Sequence, residues 1–162
     1  MSEPTSRPSW DVYFMDIAHV VARRSNCCSR KVAALIIKDK RIISTGYNGT
    51  PRGTANCDEG GCARCWARIH GGETAGSGTV QAGMQLEECT CSHGEENAIV
   101  QASYHGVSIK GATLYTTFSP CLMCAKMCIN SGITEIIFAA EYPLNDTAGR
   151  LLEEAGVTLR KL

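Results

Sequence analysis

The chain has 162 residues, 44% of them hydrophobic, and its 16 basic residues are balanced by 16 acidic ones. This length predicts one domain with a full hydrophobic core, spanning residues 1–162. A neutral chain without a basic run argues against a nucleic acid polymer as partner, because binding along a phosphate backbone requires a positive surface. No apolar stretch reaches the length of a membrane span or resembles a secretory signal, so we expect a cytoplasmic protein that binds no membrane.

The first half of the chain predicts a helix followed by a hairpin. Ser9 is a good helix cap, and apolar residues recur after it at helical spacing until about residue 24. Two β-branched apolar runs, at 31–38 and 41–47, predict strands joined by a tight turn. The segment 48–53, Asn-Gly-Thr-Pro-Arg-Gly, interrupts regular structure and offers an amide and a cation to a polar ligand.

The segment 55–92 shows little periodicity and is interpreted as an insertion. Five glycines within residues 71–83 predict a mobile excursion. Cysteines flank this excursion on both sides, and in a reducing compartment they favour metal binding over disulfides. A metal would hold together an insertion that has no hydrophobic core of its own.

The second half alternates helices and strands. This alternation predicts a largely parallel central sheet with helices on both faces, and ligands beyond the ends of its strands. The predicted helices lie at 95–104, 120–131 and 146–155, and the predicted strands at 110–117, 133–139 and 157–162.

Two short runs carry the chemistry: His93-Gly94-Glu95 and Pro120-Cys121-Leu122-Met123-Cys124. Together they form the H-x-E and P-C-x-x-C signature of zinc-dependent base deaminases. One imidazole and two thiolates leave the fourth tetrahedral position open for water, as in a catalytic zinc site. Glu95 then shuttles protons, whereas a structural zinc would take Cys128 as its fourth ligand.

The sequence resembles the deoxycytidylate deaminases of the cytidine deaminase superfamily. The resemblance covers nearly the whole chain except the glycine-rich insertion, and it implies a three-layer α/β/α cytidine-deaminase-like fold around a central mixed five-stranded sheet. The matching stretches are 10–14, 24–25, 27–32, 46–53, 93–99, 117–124 and 155–160.

The resemblance also implies site roles. His93, Cys121 and Cys124 are the zinc ligands, and Glu95 is the proton shuttle. Asn48 would bind the sugar. The backbone at Val32, Ala33 and Ala34 would line the base pocket, Ser119 would lie by the exocyclic amine, and Arg30, Lys31 and Arg52 are candidates for the phosphate.

Some members of the family bind a second, structural zinc. The resemblance implies that its ligands here are Cys27, Cys57 and Cys91, with a fourth from Cys62, Cys65 or Cys89. Six cysteines exceed the need of one tetrahedral zinc, which leaves spare thiols or a further metal open.

Two positions depart from the family pattern. Gly94 stands where alanine usually separates the zinc histidine from the glutamate, and Ala33 stands where glycine usually follows the valine of the first strand. Gly94 removes a methyl group from a helix start, and Ala33 adds one near the expected base pocket. The effect of either on activity or substrate choice stays open in the sequence.

The expected function is therefore zinc-dependent hydrolysis of dCMP to dUMP and ammonia, which supplies dUMP for thymidylate synthesis. The resemblance implies a homohexamer activated by dCTP and inhibited by dTTP, with an effector site built partly by residues 48–53. The alternatives are a deaminase of dCTP or of a modified cytosine nucleotide, and a non-catalytic module that binds zinc and nucleotide.

Overall fold

The structure is a computed structural model that describes residues 7–71, 80–81, 84–142 and 146–162. Most of the predicted excursion at 71–83 therefore lies outside the described residues. The helices are α1 (Trp10–Ala22), α2 (Ala63–His70), α3 (Gly94–Tyr104), α4 (Leu122–Asn130) and α5 (Asp146–Glu154). The strands are β1 (Ala33–Lys38), β2 (Arg41–Tyr47), β3 (Thr113–Phe118), β4 (Glu135–Ala140) and β5 (Thr158–Lys161).

Each predicted helix and strand is present in the predicted order, and α2 is an addition inside the insertion. Predicted strand starts fall two to three residues early at β1, β3 and β4. At β3 the reason is local, because Gly111 has φ of 77° and turns the chain before the strand. The turn between β1 and β2 is as tight as predicted, with Asp39 and Lys40 both at positive φ.

The five strands form one mixed sheet in the order β2-β1-β3-β4-β5, so the predicted fold class is confirmed. Strand β1 pairs antiparallel with β2 and with β3, whereas β3, β4 and β5 are parallel. The expectation of a largely parallel sheet is therefore wrong at β1. Because of the crossover through α3, β3 runs in the same direction as β2. Strand β1 lies between β2 and β3 and is antiparallel to both.

Helices cover both faces of the sheet. Alternate residues of β1 point to opposite sides, so Leu35 and Ile37 pack with Phe14 of α1. Ala34 and Ile36 pack on the other face with residues of α3, α4 and α5. Helices α3 and α4 thus lie side by side on one face, which brings their N-termini to the same edge of the sheet.

Strand β2 and helix α3 pack against each other at very short distance. A Cβ atom on Gly46 would lie 2.2 Å from the Ala98 backbone nitrogen, so only glycine allows this approach. The Ser44 hydroxyl donates to the Ala98 carbonyl oxygen at 2.8 Å. The hairpin therefore fixes the position of the helix whose first turn carries Glu95. Among the described residues, no helix has both the length and the apolar character needed to cross a membrane.

Candidate active site

Two helix starts converge on a set of metal-ligating side chains. His93 is the N-cap of α3, Cys121 is the N-cap of α4, and Cys124 lies in the first turn of α4. The His93 Nδ1 atom lies 3.4 Å from the sulfur of Cys121 and 3.4 Å from that of Cys124. All three ligand atoms lie within 4.8 Å of one another, which matches the separation of ligands around one zinc ion.

The ionisation of these groups fits a cation. Hydrogen bonding with Cys124 lowers the pKa of Cys121 to about 4, and hydrogen bonding with Cys121 raises the pKa of His93 to about 9. Hydrogen bonding with Cys121 and deep burial raise the pKa of Cys124 well above its ordinary value. A divalent ion offsets the charge of a second thiolate, and the positive ends of two helices act in the same direction.

The start of α3 is fixed by backbone contacts on both sides. Ser92 and Gly49 exchange two backbone hydrogen bonds of 2.9 and 3.1 Å. The Glu96 carboxylate accepts from the His93 backbone N–H at 3.2 Å and from the Ser92 hydroxyl at 3.1 Å. Glu96 therefore caps the helix and is not a candidate for proton transfer, although it directly follows Glu95 in sequence.

Glu95 is a buried carboxyl group beside the histidine and cysteine ligands. It is 6% exposed, and its Oε1 atom accepts from the Thr116 hydroxyl at 3.1 Å. Its Oε2 atom lies 3.7 Å from the Cys124 sulfur. Burial raises the pKa of Glu95 above its usual range. Thr116 was not predicted, because a threonine inside a strand gives no signal of its own.

The two departures from the family pattern face each other. A Cβ atom on Gly94 would lie 2.8 Å from the Ala33 Cα atom, closer than such atoms normally approach. Helix α3 therefore rests directly on the β1 backbone at these two residues. The absence of a methyl group at Gly94 therefore allows the helix to approach the strand backbone this closely.

Asn48 ties the loop before β1 to the end of β2. Its Oδ1 atom accepts from the Ser25 hydroxyl at 2.7 Å and from the Val32 backbone N–H at 2.9 Å. Its Nδ2 atom donates to the Arg30 carbonyl oxygen at 2.7 Å. Within the described residues these bonds use the amide oxygen and one of the two N–H groups, which leaves one N–H for a ligand.

A cavity opens from the ligand set toward Asn48, Val32 and Ser119. The Ser119 hydroxyl accepts from the Tyr142 backbone N–H at 2.7 Å. Ala33 and Ala34, which were also expected to line the base pocket, are fully buried and are not among the residues that line the cavity. The cavity is lined by His93, Glu95, Cys121, Asn48, Val32, Ser119, Phe118, Tyr142, Ser29, Arg30, Arg64, Arg68, Leu86, Cys27, Cys65, Cys89 and Cys91.

Three guanidinium groups line this cavity, and two of them were not predicted. Arg30 stacks over the Phe118 ring at 4.7 Å, and Arg68 donates to the Ser29 hydroxyl. Arg64 is buried and donates through Nε to the Met84 carbonyl oxygen at 2.8 Å. Arg64 and Arg68 lie on either side of Cys65 on α2. Their position beside a predicted metal ligand was the signal in the sequence that could have identified them.

The other two predicted phosphate candidates lie elsewhere. Lys31 and Arg52 are exposed and do not line the cavity. The Arg52 guanidinium lies instead over the Tyr104 ring at 5.4 Å.

The cysteines around the insertion collect into one buried cluster, separate from the His93 set. Cys27, Cys57, Cys65 and Cys91 have sulfur atoms within 4.8 Å of one another, and so do Cys62, Cys65, Cys89 and Cys91. Hydrogen bonds from Cys65 and Cys91 lower the pKa of Cys27 to about 2, whereas burial raises the pKa of Cys57 to about 12. All ten cysteines are free thiols. Such a set fits a structural zinc.

Two cysteines, Cys28 and Cys128, belong neither to the His93 set nor to either group of four cysteines. Cys28 lies 3.7 Å from the Cys57 sulfur but joins neither group of four. Cys128 packs among the alanine and isoleucine side chains of the main core, away from His93. It behaves as the buried apolar thiol that is common in protein cores.

Comparisons with known proteins agree with this geometry. Residues 8–140 match the family model described as the cytidine and deoxycytidylate deaminase zinc-binding region. Deoxycytidylate deaminase of Schizosaccharomyces pombe is 41% identical over 155 residues, which is 96% of this chain and 44% of the fungal protein. The Saccharomyces cerevisiae enzyme is 40% identical over 98% of this chain and 46% of its own length. The chain thus spans less than half of either fungal relative.

Two viral proteins are matched over nearly their full length. Deoxycytidylate deaminase of Mycobacterium phage D29 is 38% identical over 84% of this chain and 98% of the phage protein. The crystal structure of dCMP deaminase from cyanophage S-TIM5 in complex with dCMP and dUMP superposes with a TM-score of 0.74. That match has 28% sequence identity and covers 97% of this chain and 99% of the phage chain.

Proposed function

Because the chain belongs to the cytidine and deoxycytidylate deaminase zinc-binding family, we propose that it hydrolyses dCMP to dUMP and ammonia. The observation that carries this proposal is the buried Glu95 carboxyl group beside the His93, Cys121 and Cys124 set. These three residues would hold the catalytic zinc. A zinc ion held there would supply a water of lowered pKa as the nucleophile.

Glu95 carries the protons in the proposed reaction. It accepts one proton from the attacking water and delivers it to the ring nitrogen beside the amino-bearing carbon. A second proton from the same oxygen passes through Glu95 to the amino group, the carbon–nitrogen bond breaks, and ammonia leaves. Thr116 holds the Oε1 atom, so the carboxyl group keeps its orientation as its charge changes.

The neighbouring residues position the nucleotide. The remaining Asn48 N–H is suited to a sugar hydroxyl, and Ser119 is suited to the departing amine. Because Asn48 also ties down Val32 and Arg30, it shapes the wall of the base pocket as well as touching the substrate.

The phosphate of the substrate would bind Arg30, Arg64 and Arg68. These side chains line the same cavity as Glu95, and a guanidinium group forms strong paired hydrogen bonds with phosphate oxygens. The neutral chain has no need of a wider positive surface, because a monophosphate requires only a local cluster of cations.

A panel of cytosine compounds tests the activity. We expect ammonia release from dCMP to exceed that from CMP, dCTP and deoxycytidine, because the cavity combines a sugar contact with a cationic cluster. Each compound is assayed alone and with dCTP or dTTP added as effector. Faster release from dCTP or a modified cytosine nucleotide than from dCMP would mean that this compound is the substrate instead. No release from any of them would favour a non-catalytic module.

Substitution of Arg68 tests the phosphate site. We expect Arg68→Ala to lower kcat/KM for dCMP about tenfold, since a charge-assisted hydrogen bond is lost, and to leave kcat/KM for deoxycytidine unchanged. Lys31→Ala is the matched control, because this cation is exposed and outside the cavity. Equal losses for dCMP and deoxycytidine in Arg68→Ala would contradict the assignment, as would a comparable loss for dCMP in Lys31→Ala.

The resemblance to the family supports three further parts of the proposal. A structural zinc would bind Cys27, Cys57, Cys65 and Cys91, which selects Cys65 from the three candidates for the fourth ligand. The enzyme would act in the cytoplasm as a homohexamer, within a single domain of residues 1–162. Residues 48–53 would contribute to a site for dCTP as activator and dTTP as inhibitor.

A further inference from the structure

The cysteine cluster contains more ligands than one zinc ion can use. Two groups of four sulfur atoms each satisfy the spacing of a single metal site, and the groups have Cys65 and Cys91 in common. Cys27 and Cys57 belong only to the first group, whereas Cys62 and Cys89 belong only to the second. Two tetrahedral metal sites built from these groups would share one edge, formed by the sulfur atoms of Cys65 and Cys91.

The sulfur separations have the values that this geometry requires. A zinc–sulfur bond of about 2.3 Å gives a separation of about 3.8 Å between two sulfur atoms on one tetrahedral ion. The Cys27–Cys65 distance is 3.8 Å, and the Cys62–Cys89 and Cys65–Cys89 distances are each 3.7 Å. These distances are nearly twice the length of a disulfide bond, so the cluster is not a set of strained disulfides.

The surroundings of the cluster require a strong stabilising interaction. Among the described residues, the buried cluster that joins the insertion to the domain consists of cysteines alone. It connects the loop after α1, the 3-10 turn at Cys57–Glu59, helix α2 and the segment before His93. Thiols bury little apolar area, and a metal supplies the folding energy that such a small region lacks.

We infer that this region holds a binuclear zinc centre with six cysteine ligands, in which the Cys65 and Cys91 thiolates bridge the two ions. Cys27 and Cys57 complete the first site, and Cys62 and Cys89 complete the second. Six thiolates outnumber the positive charges of two zinc ions, and Arg64, which adjoins Cys65 in sequence and is itself buried, supplies a nearby cation.

The centre would also place the cationic cluster, a consequence that rests on the proposed function. Cys62 is the N-cap of α2, and Cys65 lies on that helix between Arg64 and Arg68. Two metal ions that hold both cysteines would therefore fix both guanidinium groups at the cavity. The metal inference itself is independent of deamination, because none of the six cysteines belongs to the His93 set.

Metal substitution tests the inference on the whole chain. The protein is loaded with cadmium-113 and observed by cadmium NMR. We expect about three resonances: one that disappears in Cys124→Ser, and two that remain and show scalar coupling to each other through shared thiolates. A single resonance besides the one lost in Cys124→Ser would overturn the inference, as would two uncoupled ones, whether or not the protein deaminates dCMP.

Zinc content of the purified variants gives a second readout. We expect Cys57→Ser and Cys62→Ser each to lose about one zinc per chain, and Cys91→Ser to lose about two, because Cys91 serves both sites. Cys28→Ser is the matched control, since Cys28 touches Cys57 but belongs to neither set, and it should keep all its zinc. Full zinc content in Cys62→Ser would contradict the second site, and iron in place of zinc would contradict the whole centre.

Discussion

Glu95→Gln is expected to lower kcat for ammonia release by about a thousandfold or more, because an amide cannot carry protons between water, ring nitrogen and amine. The substitution keeps the size of the side chain and its hydrogen bond from Thr116. The measurements are ammonia release from dCMP and zinc content, and the variant should retain its zinc because Glu95 is not a ligand. Wild-type turnover in Glu95→Gln would disprove the proposed mechanism.

Glu96→Gln is the matched control for this experiment. It changes an adjacent carboxylate on the same helix start, whose bonds go to the His93 backbone N–H and the Ser92 hydroxyl. The glutamine oxygen can accept from the His93 backbone N–H, and its NH2 group can donate to the Ser92 hydroxyl oxygen, so we expect less than about a tenfold loss of kcat and a small loss of stability. Equal losses in both variants would mean that Glu95 acts through the structure of the helix start.

Gly94→Ala is expected to lower the free energy of unfolding by about 2 kcal/mol and kcat/KM by up to about a hundredfold. The added methyl group would meet the Ala33 Cα atom at 2.8 Å, so β1 or the start of α3 must shift. His93 and Glu95 flank Gly94 and move with it, and small displacements of reacting groups reduce catalysis steeply. Denaturant unfolding and steady-state kinetics measure the two effects.

The double variant Ala33→Gly/Gly94→Ala should recover part of both losses. Glycine at residue 33 lets the strand backbone adopt conformations that move it away from the added methyl group. We expect a coupling of about 1 kcal/mol between the two substitutions, whereas additive effects would contradict their direct contact. Gly149→Ala is the control for adding a methyl group to a helix, because nothing lies within 4 Å of that Cβ position.

The sequence by itself determined the family motif and the order of the elements. Spacing alone was enough to predict the site residues His93, Glu95, Cys121 and Cys124. One helix start carries a histidine and a carboxylate two residues apart, and another carries two cysteines three residues apart. Such pairs can be brought together in only a few ways. The hairpin and the alternating helices and strands depend on local periodicity, so they were predictable with errors of a few residues at their ends.

Only the tertiary structure decided which side chains line the cavity and how the cysteines divide. Arg64 and Arg68 reach the cavity because α2 folds back over it, whereas Lys31 and Arg52 are as cationic in sequence but point elsewhere. The contact between Gly94 and Ala33 joins residues 61 positions apart. Likewise, the sharing of Cys65 and Cys91 between two sets is a matter of distances in space, which linear spacing does not contain.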